Sequence, residues 1–218
     1  MANKIQYAKG PYSPFQLLTA SNAYFALSEV ATAAYPVDQE TMSRTVIDSD
    51  ESLASATNRI LAIELYFKAL LVGLAFPVPM VHNLVILFEH LPLDVRDELD
   101  RQYDARCRKQ ILPDHAQAIV MGFQLTDAID SEDMPKVIDQ LPLNLSLLQL
   151  LEKNKDGFID SRYLFQRATV EKSNWYVYHY RRLSILAKLL RATLEVSLAA
   201  MPSAGSGVTA DKATGADA

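Results

Sequence analysis

The sequence predicts an all-α fold, an antiparallel helical bundle forming one domain over residues 1–201. Three observations predict it. Residues 60–76 are almost unbrokenly apolar, and a helix with no wet face belongs at the centre of a bundle. Apolar residues recur at helical spacing along most of the chain, which has only 7 glycines in 218 residues and little strand-like alternation. Toward the C-terminus, Tyr176, Tyr180, Leu183, Ala187, Leu190 and Leu194 alternate four- and three-residue steps, as a bundle seam does.

Residues 1–12 read as a loose arm. Ser13 is placed to cap a helix with Pro14 at its first position, a favoured start. That helix runs to about residue 34, where Tyr35-Pro36 stops it, and Phe15, Leu18, Asn22, Phe25 and Glu29 lie on one of its spirals. A polar loop over 36–49 follows, with Ser49 and Asp50 as candidate caps of the central helix. The central helix carries Glu64 and Lys68 inside its apolar run, and Pro77 and Pro79 end it. A membrane span needs roughly 20 uninterrupted apolar residues, so this is a buried helix. The turn PVPMVHN sends the chain back into a short helix over 84–91, with His82 and Asn83 expected to cap it.

After Pro92 comes a charged outer helix with Val95, Leu99 and Tyr103 on its inner side. Pro113 breaks it, and another helix is predicted over 114–130. Residues 131–142 read as a loop, 143–154 as a short amphipathic helix, and 155–173 as a loop or partly extended stretch. Asn174 then caps a last helix over 175–201, roughly 40 Å long at ~1.5 Å per residue. Its second stripe, Trp175, His179, Arg182, Leu186, Leu189, Thr193 and Val196, predicts burial on more than one side. Residues 202–218 lack apolar bulk and read as a disordered tail.

Composition narrows the function classes. Cys107 is the only cysteine, which excludes an internal disulfide and zinc-finger spacing and fits a reducing, cytoplasmic setting. No signal peptide or transmembrane segment is expected. The net charge of −5 argues against general nucleic-acid affinity. The charge is unevenly spread, however. Residues 162–191 hold seven basic groups against Glu171 alone, whereas the preceding 161 residues hold 13 basic and 22 acidic groups. Tyr and Trp interleave with the basic residues in NWYVYHYRR, as in surfaces that stack nucleobases. Arg167, Trp175, His179, Arg181 and Arg182 are therefore a candidate basic and aromatic surface, although aromatics at helical spacing more often belong to a core.

The stretch ELYFKALL, a proline-bearing turn and HNLVILFEHLP together resemble the HEPN (higher eukaryotes and prokaryotes nucleotide-binding) superfamily. The matching residues are Glu64, Lys68, Ala69, Leu70, His82, Asn83 and Leu84. FIDSRYLFQ is similar to a Phe-x-x-x-Arg-Tyr segment preceding the last helix in some members, matched here by Phe158, Arg162 and Tyr163. The resemblance covers roughly residues 15–200. It implies an antiparallel bundle that dimerises, and RNA, a nucleotide or a nucleotidyltransferase-type protein as partner, in toxin–antitoxin or phage-defence systems. Nuclease members carry Arg, four to six residues, then His at the start of the last helix. Counting from Arg162 or Arg167 meets no histidine. Arg108 and His115 have that spacing but straddle Pro113, far from the last helix.

The candidate polar site is therefore Glu64, Lys68, His82, Arg162 and Tyr163. Glu64 and Lys68 stand in the stabilising order for a helical pair. A buried charge needs a partner, and Arg162 is expected within reach of Glu64. Residues 152–163 imitate a calcium loop, but Glu152 stands at its first position and Tyr163 where a bidentate Glu is required, so no calcium site is expected. No cofactor, phosphate-binding glycine loop or zinc-protease motif is read from the sequence. The expected function is a binding module for RNA, a nucleotide or a partner protein. One alternative is an atypical metal-independent ribonuclease using Arg162, Tyr163 and Glu64, and another is a purely structural interaction protein.

Overall fold

A computed structural model describes residues 5–8, 12–33, 49–109, 119–124, 145–162 and 173–201. The fold is of the all-α class, with one two-stranded ribbon added to the helices. Helix α1 spans Pro14–Ala33, and the Ser13 hydroxyl accepts from the Gln16 amide at its start. The central helix α2 spans Ser49–Gly73 and packs most extensively against α1 and the last helix. Ala62, Ile63, Tyr66, Phe67, Leu70 and Leu71 are all buried.

The central helix ends before its prolines. The Phe76 amide reaches back to the Leu71 carbonyl at 2.8 Å, and the Ala75 amide to Val72 at 3.0 Å. This double closure needs a left-handed residue at its apex. Ala75 supplies it, with φ of 58°. The turn then meets the N-terminal arm: the Ala8 amide donates to Val78 and the Met80 amide to Gln6. Helix α3 spans Leu84–Glu89, and the Asn83 side chain accepts from the amides of Val85 and Ile86, a proper N-cap. Helix α4, Leu93–Lys109, buries Leu99 and Tyr103. Helix α5, Leu147–Lys153, opens with a capping box of Ser146 and Gln149. Helix α6 spans Gly157–Arg162, and α7 spans Tyr180–Ala199.

Two expectations are corrected here. Residues 119–124, read as helix, form strand β1, Ile119–Gln124. Residues 173–178, read as the start of the last helix, form strand β2, Ser173–Tyr178. The strands pair antiparallel, with Ile119 opposite Tyr178 and Gln124 opposite Ser173. Val, Ile, Trp, Tyr and Phe dominate both segments and suit a pleated backbone. Helix α7 therefore has 20 residues and a length of about 30 Å. The start of α6 likewise replaces part of the expected loop with helix. The polar loop over 36–48, the loop over 131–142 and the tail lie outside the described residues.

The seam of α7 is buried within the chain against α2, α4 and α1 as far as Leu194, and its second stripe only from His179 to Leu189, because Val196 is 72 % exposed. Among the described residues, no helix is long and apolar enough to cross a membrane.

Candidate functional site

The reversal between α2 and α3 brings three of the five predicted polar residues to one point. Glu64 is on the α3-facing side of α2 and is 1 % exposed. Lys68, one turn on, donates to its carboxylate at 2.6 Å. From the turn, His82 brings Nδ1 to 3.0 and 3.1 Å of the two carboxylate oxygens. An ionised carboxylate only accepts, so Nδ1 carries the proton and Nε2 is the ring atom left for a further partner. The His82 ring stacks on Phe158 of α6 at 5.1 Å between centroids. Its side chain stays 51 % exposed. A buried carboxylate and an aromatic platform thus hold one imidazole at the surface in a fixed orientation.

The loop before α6 completes this notch. The Asn83 amide group donates to Asp156 at 3.3 Å, and the Leu84 amide donates to the Lys155 carbonyl at 3.1 Å. Asn154 is buried and its side chain donates to the Leu150 carbonyl. Two of the residues that imitate a calcium loop are therefore engaged in joining α5 and α6 to α3. Helix α6 packs on α2 and ends at Arg162. The Arg162 side chain and all of Tyr163 lie outside the described residues, as does the expected contact of Arg162 with Glu64.

The basic and aromatic surface is corrected. His179 and Arg182 are buried, at 5 % and 6 % exposure. Arg182 donates to the Leu145 carbonyl at 3.3 Å. They turn inward on the side of α7 that packs against α4 and meets the Leu145 carbonyl. Of the three whose side chains are described, Arg181 is exposed, with its guanidinium over the Tyr180 ring. Trp175 contributes its backbone to β2 opposite Gly122, while its side chain and all of Arg167 lie outside the described residues.

Sequence reasoning missed Arg59, the largest fully buried side chain among those described. Its Nε donates to Ser28 at 3.1 Å, and its Nη1 to the Tyr180 carbonyl at 2.8 Å. Its Nη2 closes an ion pair with Glu29. Its Cζ lies 5.6 Å from the Phe25 ring centre and 5.9 Å from that of Tyr178. Ser55 donates to the Ser28 carbonyl beside it at 2.9 Å. One guanidinium thus ties α1, α2 and the start of α7. The available signal was an arginine next to the apolar run, one residue before Ile60, with Glu29 in the preceding helix.

Against known protein families, curated proteins and solved structures, the chain gives no match. Among the described residues, no group of three or more His, Cys, Asp or Glu is arranged to hold a metal ion.

Proposed function

We propose that the chain is a HEPN-like binding module that takes a phosphate-bearing ligand, RNA or a nucleotide, at the His82 notch. One observation carries the reading: a half-exposed imidazole fixed by the buried Glu64 carboxylate, with Lys68 offsetting that carboxylate's charge. Phosphate oxygens only accept, so Nε2 carries a proton as well when it meets one, and a ring held this way donates from Nε2 without losing side-chain entropy on binding. Phe158 behind it adds an aromatic platform. Glu64 itself is too buried to touch a ligand and acts as a positioning residue. This weighs against the ribonuclease alternative in which Glu64 does chemistry.

The test is fluorescence anisotropy with a labelled single-stranded RNA at two salt concentrations, with thermal melting in parallel. His82→Ala should weaken binding about tenfold or more, the loss of one charge-assisted contact, with a lowered melting temperature because the buried Glu64 then keeps Lys68 alone, so both proteins are compared well below their melting transitions. Equal RNA affinity in wild type and His82→Ala would remove the notch from the binding surface.

A second reading, association with another protein, has its own observation. The outer face of α1 presents Phe15, Leu27 and Val30 to solvent, with the smaller Thr19, Ala23 and Ala26 between them and no charged residue on the stripe. Phe15, Thr19, Ala23, Ala26 and Val30 step by four, four, three and four, the spacing of a helix–helix seam. On this reading two copies pair through α1. Light scattering should give twice the chain mass at micromolar concentration, and Val30→Glu should halve it. A monomeric wild type would remove the homodimer.

A further inference from the structure

His179 stands at the junction where β2 ends and α7 begins. Its backbone, at φ −79° and ψ 57°, belongs to neither element. Its carbonyl accepts from the Leu183 amide at 2.9 Å, which starts the helix. The side chain does not cap that helix. It turns inward instead, and both ring nitrogens are buried without a hydrogen-bond partner among the described residues. A buried polar group left unsatisfied destabilises the closed form and calls for an explanation.

The groups around it make the charged form of the ring worse still. From α7, Arg182 lies near enough to repel a second positive charge, and from α5 so does Lys153. From α4, Tyr103 and Cys107 sit around the same Arg182. Burial holds both of these above their usual range, so each stays neutral in acid. Asp104, also on α4, acts on Cys107 and is itself paired with Arg108 at the surface. From α2, Arg59 reaches the adjoining Tyr180 carbonyl.

We infer that His179 is an acid-sensitive latch, neutral when the β2–α7 junction is closed and expelled when it takes a proton. Opening would bring His179 and Arg182 out beside the already exposed Arg181, placing three cations on one turn. The basic surface read from the sequence would then be a latent one, uncovered by acid.

Burial, with Lys153 and Arg182, lowers the His179 pKa from 6.5 to about 4. The sign follows from linkage. Between these values the opened ring binds a proton and the closed ring does not, so closure is fully stable above pH 6.5 and weakens as pH falls toward 4. The opening equilibrium should rise about tenfold per pH unit across that window and level off below it.

The experiment uses the full chain. Histidine ring resonances are followed from pH 7 to 4, and amide hydrogen exchange is measured over the same range and corrected for intrinsic rates. The His179 ring should stay neutral in the closed form until about pH 4. Protection of β2 and the first turn of α7 should fall about tenfold per pH unit, ahead of α2. His179→Phe, which keeps a ring and removes both nitrogens, should abolish that local slope. Three results would overturn the latch: a His179 ring titrating at the ordinary histidine value, an equal loss of protection in α2 and at the junction, or the same local slope in His179→Phe. If the variant does not fold, the wild-type ring titration and the α2 comparison still decide.

Discussion

At the scale of the residue, two buried charges organise this molecule differently. Glu64 has its acceptor capacity used by Lys68 and His82 within one hairpin. Arg59 spreads its donors over two other helices, α1 and α7. Removing one side of a buried pair leaves an uncompensated charge, at about 3–5 kcal/mol. The two sides of the Arg59–Glu29 pair are unequal, because Arg59 is fully buried whereas the Glu29 side chain is 41 % exposed, with Lys188 and Ser184 also nearby. Glu29→Ala should therefore cost about 3–5 kcal/mol. Arg59→Met, which keeps the stem and leaves only a half-hydrated carboxylate, should cost less, about 1–3 kcal/mol for its lost hydrogen bonds. Urea denaturation of both variants measures the order, and the reverse order would show that the guanidinium's contacts with Ser28 and Tyr180 outweigh its pairing with Glu29. Arg59 was not legible in the sequence because nothing local distinguishes it from an arginine whose stem covers a helix flank. Its partners come from 30 residues before it and 121 residues after it.

At the scale of the element, helices defined by their own neighbours were legible and the ribbon was not. Pro14 behind Ser13, Asn83 before the run LVILFE and Ser146 three residues before Gln149 are local signals, and all three start helices. Strand β2 reads at helical spacing because Tyr176 and Tyr180 continue the α7 seam backwards. What makes it a strand is pairing with residues 119–124, about fifty or more positions away, the closest pair being Gln124 and Ser173, which no local window contains. The end of α2 was misplaced for a related reason: the prolines stop any helix, but the backbone closes earlier, on Ala75. That residue holds a conformation that suits glycine. Ala75→Gly should stabilise the fold by about 1 kcal/mol, read as a raised melting temperature. An unchanged or lowered melting temperature would show that the turn tolerates the alanine without strain.

At the scale of the whole molecule, the central helix does what its composition requires. It is covered by α1 on one side and α7 on another, and its two charged positions within the apolar run face the hairpin turn rather than the core. The Glu64–Lys68–His82 cluster was legible in part, since Glu64 and Lys68 share a helix face and the turn must return His82 beside them. The burial of His179 and Arg182 was not, because it depends on α4 and the Leu145 segment meeting the start of α7. Under the proposed function, the outward nitrogen of His82 meets a phosphate-bearing ligand while Glu64 fixes the ring. The most direct measurement is the His82 ring nitrogen spectrum of the full chain during titration with a short single-stranded RNA, in wild type and in Glu64→Gln. A saturable shift of the His82 Nε2 signal is expected in wild type, with Nδ1 remaining protonated, and a weaker, unsaturated response in Glu64→Gln. A His82 signal that does not move at RNA concentrations that saturate any other part of the chain would contradict it.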